Sequence, residues 1–216
     1  MSKTGIIFDL DGTLWNTSET IVPIWNEVLK SHSETDKQLT VTEMNGYMGK
    51  TLEQIARLML PKLDLENAMA IVYECCDVER DYLRKVGGKL YDNLAETLKQ
   101  LKEKHSLYIV SNCQDGYVQA FLDFHGFNEI FDDFEMSGRT KKSKGENIKL
   151  IIERNNLDKA VYVGDTQGDY DAAKAAGVPF VFAEYGFGSI DSFEYSIEEF
   201  YRLPSVAEQV FLTVAN

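Results

Sequence analysis

An α/β fold with a parallel sheet and an inserted all-helical segment is what this 216-residue chain predicts, from three observations. A short apolar strand stands at residues 4–10. Residues from about 17 to 85 carry only helical apolar spacing. After Gly87-Gly88, strand-like and helix-like runs alternate, which implies parallel strands with helices on both faces.

Each element has a local reason. "TGIIFDL" is rich in β-branched and aromatic residues and is closed by Asp-Gly. "SETIVPIWNEVLKSH", "TLEQIARLMLP" and "LENAMAIVYECCDVERDYLRKV" follow as helices, the second opened by a capping box of Thr51 with Gln54. Then come the amphipathic helix "NLAETLKQLKEKH", the strand "SLYIVSN" (106–112), the helix "GYVQAFLDFHG" ending near Gly126 and the short strand "IFDDFEM". "KGENIKLIIERNN" reads as a helix, "AVYVGD" (160–165) as a strand, "DYDAAKAAG" as a helix stopped by Gly177, and "VPFVFAEYG" as a strand. "IDSFEYSIEEFYRLPSVAEQVFLTV" is expected to add an edge strand and a last helix.

Composition narrows the class. With 35 Asp+Glu against 22 Lys+Arg, the formal charge of −13 argues against nucleic-acid or anionic-membrane partners. Three cysteines, two of them adjacent, are no disulfide framework, so a reducing, cytoplasmic setting is expected. No apolar run is long enough for a membrane span.

In open parallel sheets ligands bind at the carboxyl ends of the strands. Asp9, Ser111, Asn112 and Asp165 all sit at predicted strand ends and are expected to converge there. Asp9 is a potential nucleophile towards phosphorus, and Asp11, two residues on, a potential acid and base for the leaving oxygen and for water. Gly12 permits the bend between strand and loop. Solvated carboxylates in a common Asp-Gly turn are the competing reading. Ser111 and Asn112 suit a phosphate oxygen, or equally a helix N-cap. Lys142 and Lys144 precede a helix, where an ammonium makes sense only against an anion; a solvated basic loop competes, and chemistry alone does not separate the lysines. Asp165 and Asp169 with Asp9 suit an octahedral Mg²⁺ ion, which would relieve their mutual repulsion; Asp169 is equally a helix cap. Gly46 and Gly49 are expected to frame a loop presenting Lys50 to the substrate, with a plain surface turn as the alternative. His32, His105 and His125 show no metal-ligand spacing, and Cys75-Cys76 reads as packing.

Together "FDLDGT", "IVSN", a lysine before a helix and "VGDTQGD", in that order, resemble the four motifs of the haloacid dehalogenase superfamily of phosphohydrolases, over nearly the whole chain. The resemblance implies a Rossmann-like core (1–16 and 87–216) and a helical cap (17–86) like that of the phosphoglycolate-phosphatase branch. It carries Asp9 as nucleophile and Asp11 as general acid/base. It places Mg²⁺ on Asp9, the Asp11 backbone carbonyl and Asp165, with Asp169 in support. It gives Ser111, Asn112 and one lysine to the phosphate. The branch's usual Lys-Pro-x-Pro is "KKSKGEN" here; counting back from Asp165 favours Lys142, but "KGE" resembles the phosphoserine-phosphatase variant, and Lys144 is preferred. "LYDN" (90–93) stands where many relatives have Tyr-Pro-Gly, which bears on the substrate. The expectation is a Mg²⁺-dependent phosphatase acting on a small phosphorylated metabolite, as monomer or homodimer, with Gly87-Gly88 and Trp15–Thr17 as hinges. A β-phosphoglucomutase-like sugar phosphomutase shares every core residue. A dehalogenase needs neither Asp11 nor Asp165, and a non-catalytic phosphate-binding module would not keep all the carboxylates.

Overall fold

The computed structural model describes residues 2–213. The chain opens with β1 (Thr4–Phe8) and the two-residue β2 (Trp15–Asn16), then enters four helices: α1 (Ser18–Ser31), α2 (Val41–Tyr47), α3 (Leu52–Met59) and α4 (Leu65–Val86). It returns through β3 (Lys89–Leu90) to α5 (Leu94–Lys102), β4 (Ser106–Ser111), α6 (Tyr117–His125), β5 (Asp133–Met136) and the one-turn α7 (Ser137–Thr140). The remaining elements are α8 (Lys144–Arg154), β6 (Lys159–Gly164), α9 (Gln167–Ala176), β7 (Phe180–Ala183), β8 (Tyr195–Ile197) and α10 (Leu203–Thr213).

Six strands form a parallel, Rossmann-like sheet in the order β5-β4-β1-β6-β7-β8. Side chains alternate between its two faces. Ile7, Tyr108, Val110, Tyr162, Phe180 and Phe182 pack under α8 and α9, against Ile148, Ile151 and Ala173. Ile6, Phe8, Leu107, Ile109, Val161, Val163 and Val181 face the other way, towards α5, α6 and α10. Both faces are covered, so the strands read as unbroken apolar runs. The strand order reverses at β1, whose neighbours are β4 and β6, and that is where a crevice forms at the sheet's carboxyl edge.

Helices α1 to α4 form the inserted cap over that edge. Trp25, Leu29, Ile71, Val72 and Cys75 are buried inside it. Cys75, Cys76 and Cys113 are free thiols, and the two cap cysteines pack as expected. The chain leaves the core along β2 and returns along β3, paired antiparallel: Trp15 with Leu90, Asn16 with Lys89. The sequence does not announce these strands, because two residues are too few to show alternation. Nor does it announce a helix at residues 41–47. Thr40 and Glu43 make a full capping box there, so Gly46 lies within α2 rather than framing a loop. Only Gly49, at φ +77°, turns the chain before Lys50. No helix among the described residues is long and apolar enough to cross a membrane.

Gly87 ends α4 at φ 68°, ψ −176°, a region that only glycine adopts without strain. A Cβ there would stand 2.2 Å from the Phe124 ring. Gly87→Ala is therefore expected to cost about 1–3 kcal/mol, read as a lower urea midpoint at an unchanged m-value.

Candidate active site

Asp9 directly follows β1, and its backbone N–H still donates to the Val163 carbonyl at 2.8 Å, so the sheet fixes its position. Asp165 follows β6 in the same way and is fully buried. Asp169 sits in the first turn of α9 and is also fully buried. One carboxylate oxygen from each of Asp9, Asp165 and Asp169 falls within 4.8 Å of the others. The strand-end residues that the sequence separates by more than 150 positions thus meet at one place.

Lys144 is the first residue of α8, which starts at Ser143 with a capping box to Glu146. Its buried Nζ donates to Asp9 Oδ1 at 2.8 Å and to Asp169 Oδ1 at 2.6 Å. Lys142 is exposed. Asp169 serves both readings that the sequence left open: Oδ2 accepts from the Thr166 hydroxyl at 2.6 Å as part of a capping box, while Oδ1 takes Lys144. Asp165 Oδ2 accepts from the Phe187 N–H at 2.7 Å.

One ammonium against three buried carboxylates leaves negative charge uncompensated. Burial, then the charge of Asp169, pushes Asp9 up to about 7 in spite of Lys144. Burial also raises Asp165 well above the carboxylate range. Asp9 Oδ2 is buried and has no hydrogen-bond partner. An all-oxygen set of this kind, with an orphaned carboxylate oxygen, fits a hard divalent cation such as Mg²⁺.

The Asp11 carboxyl lies outside the cluster. Its Oδ1 accepts from Trp15 Nε1 and from the Tyr117 hydroxyl, both at 2.9 Å. Burial raises it to about 6, against those two hydrogen bonds, so this carboxyl can hold or release a proton near neutrality. Ser111 is buried at the end of β4 and lines the cavity beside Asn112. Neither caps a helix, since α6 begins at Tyr117 with Gly116 before it. Asn112 Nδ2 donates to the Gly49 carbonyl at 2.9 Å, a bridge from core to cap, and Ser137 donates to its Oδ1. Lys50 is exposed at the cavity's edge.

The sequence reading missed Tyr117, Trp25 and Glu79, which line the same cavity. Glu79 carried a legible signal: with Val72, Cys75, Cys76 and Leu83 it falls on the apolar stripe of α4, where an acid is out of place. Its Oε2 accepts from Trp25 Nε1 at 3.1 Å. Burial, then the charge of Asp11, pushes it up to about 8.

The family model of haloacid dehalogenase-like hydrolases matches residues 6–183. A phosphoglycolate phosphatase of Mesorhizobium japonicum is 29% identical over 206 residues, covering 87% of this chain and 85% of its own. Another, from Rhodobacter capsulatus, is 24% identical and covers 94% and 96%. The fold is shared with a haloacid dehalogenase-like family hydrolase of Streptococcus pneumoniae: TM-score 0.80, 20% identity, 94% of this chain and 97% of the other.

Glu79 binds its proton more tightly in the folded chain than at the unperturbed value of 4.5. The folded state therefore carries the extra proton, and its contribution to stability is lost as pH rises from that value through about 8. Thermal unfolding in chelator from about pH 5 to 8 should show this fall, and Glu79→Gln should make the slope shallower.

Proposed function

The chain belongs to the haloacid dehalogenase-like hydrolases, and on that footing we propose that it is a Mg²⁺-dependent phosphatase that hydrolyses a small phosphomonoester through an aspartyl-phosphate. A phosphoglycolate-like ester or a sugar phosphate is the substrate range that its relatives and its helical cap suggest. The observation that carries the reading is Asp9 itself: a buried carboxylate at the sheet's carboxyl edge, held on one oxygen by Lys144, with Asp11 beside it on the same turn.

Asp9, Asp165 and the Asp11 backbone carbonyl would hold the metal, with Asp169 in support. Bound there, Mg²⁺ supplies the positive charge that keeps neighbouring carboxylates ionised and offsets charge on the phosphoryl oxygens. Asp9 attacks phosphorus, the bond to the leaving oxygen breaks, and Asp11 passes its proton to that oxygen. In the second half Asp11 takes a proton from water, the new oxygen–phosphorus bond forms, and Asp9 is released. Ser111, Asn112 and Lys144 hold the phosphoryl oxygens, while the cap excludes bulk water and brings Lys50 near the leaving group.

Hydrolysis of a phosphomonoester panel tests this directly. Asp9→Asn should abolish turnover while leaving the circular dichroism spectrum unchanged, and chelation should stop the wild type until Mg²⁺ is restored. Substantial turnover by Asp9→Asn would remove the nucleophile from the scheme. The two lysines separate cleanly: Lys144→Ala should lose about 10²-fold or more in kcat/KM, and Lys142→Ala should stay within a few-fold.

A further inference from the structure

The mechanism gives Glu79 no task, yet this carboxyl lines the cavity that receives the substrate. It stands on α4 of the cap and is 4% exposed. Among the described residues the neutral Trp25 indole donates to it, the uncharged Gln114 amide and Tyr117 hydroxyl stand close by, and no lysine or arginine forms an ion pair with it. The neighbouring Gln114 amide is turned to the Cys76 carbonyl at 3.3 Å. The rest of the cap's wall is apolar: Ile21, Met44, Met48, Leu52 and Ile55. The cavity is about 60 Å³, so the leaving group that fits under this cap position is small.

A buried carboxyl without a cation is costly unless something completes it. Helix α4 positions this one on the cap side of the cavity, opposite the core residues Asp9 and Ser111. We infer that Glu79 reads the leaving group: it accepts a hydrogen bond from a hydroxyl or ammonium on a small phosphorylated alcohol, and it selects against a leaving group that ends in a carboxylate. This rests on the phosphatase reading above and chooses within its substrate range. A carboxylate at that place would add an anion to a site already holding Asp9, Asp11, Asp165, Asp169 and the incoming phosphate. The buried Lys144 is already shared between Asp9, Asp169 and the phosphoryl oxygens and is not spare for a second anion. Charge repulsion in a low-dielectric cavity disfavours that arrangement whether or not Glu79 holds its proton. A hydroxyl or ammonium instead satisfies the carboxyl and brings no negative charge.

The test uses four two-carbon esters that differ only at the far end, assayed with Mg²⁺: ethyl phosphate, 2-hydroxyethyl phosphate, 2-aminoethyl phosphate and phosphoglycolate. Wild-type kcat/KM should be at least about tenfold higher for the hydroxyl or amino ester than for ethyl phosphate, with phosphoglycolate lowest. Which of the two leads identifies the donor. Glu79→Leu should collapse that ratio to near one, and the isosteric Glu79→Gln, with a fold check by circular dichroism, should narrow it and lift the relative rate on phosphoglycolate. Phosphoglycolate as the best ester would overturn the inference and leave the phosphatase standing; loss of that preference in Lys50→Ala would then assign selectivity to the loop. A ratio unchanged in both Glu79 variants would overturn it as well. No turnover of these esters would overturn the inference, and no turnover of the wider phosphomonoester panel either would sink the phosphatase reading itself.

Discussion

Lys144 bonded to Asp9 and Asp169 at once is the interaction around which the rest of the molecule is arranged. Taking ions out of water costs about several kcal/mol each, and such a group persists only where geometry and partners are fixed. The fixing comes from ordinary secondary structure. Ser143 and Glu146 cap α8 so that its first residue is Lys144. Gly145 follows, and a Cβ there would stand 3.1 Å from the Ala172 carbonyl, so α8 can lie close along α9. That closeness lets Lys144 reach Asp169, whose other oxygen is busy capping α9. The buried Tyr162 hydroxyl on β6 donates to the Val110 carbonyl of β4 at 2.8 Å and so ties these two strands together across the tip of β1, which lies between them.

Backbone crowds Asp165 closely at three glycines. A Cβ at Gly12 or at Gly186 would stand 2.2 Å from one of its side-chain atoms, and a Cβ at Gly188 would stand 2.4 Å from its carbonyl oxygen. The loops after β1 and β7 therefore close on this carboxylate largely with main chain: the Phe187 N–H donates to Oδ2, and the Thr13 hydroxyl to Oδ1 at 3.4 Å. Each of these glycines has given up more conformational entropy on folding than another residue would. The return is a carboxylate held from several sides with its charge still lacking a full counterion.

Much of this was legible in the chain. Asp9 and Asp165 follow apolar strands, and strand ends of a parallel sheet share one edge. The choice of Lys144 over Lys142 was not legible from chemistry, because both stand at the start of the same predicted helix. In the structure Lys144 is the first residue of α8 and its side chain is buried, while Lys142 lies in the loop before the Ser143 cap and is exposed. The cap alternative for Ser111 and Asn112 failed for a local reason: a loop through Gly116 delays α6 until Tyr117. Gly46 misled because glycine in the last turn of a short helix reads as a loop, and the Thr40–Glu43 signal beside it outweighs it. Glu79 was legible only as an acid on an apolar stripe, and Tyr117 not at all as a site residue, because the partners that mark them, Trp25 and Asp11, lie 54 and 106 residues away. No spacing along the chain encodes that meeting.

Asp11 and the cap are mechanically joined. Asp11 Oδ1 takes hydrogen bonds from Trp15 and from Thr17, at 3.5 Å, as well as from Tyr117. Trp15 belongs to β2, and Thr17 directly precedes α1, so two of the three donors lie on the segment that carries the chain into the cap. Tyr117 and Phe121 of the core pack edge-on against the Trp15 indole, at 5.5 and 5.1 Å between ring centroids. The indole is thereby anchored to α6 while its N–H orients the carboxyl. Asn112 adds a second link, from the tip of β4 to the Gly49 carbonyl in the cap. A cap that swings about β2 and β3 must break the Asn112 link, yet it can leave Trp15 seated in its aromatic cluster. On that geometry Asp11 keeps its orientation when the cap swings, and the hydrogen bond that parts is the one at the tip of β4.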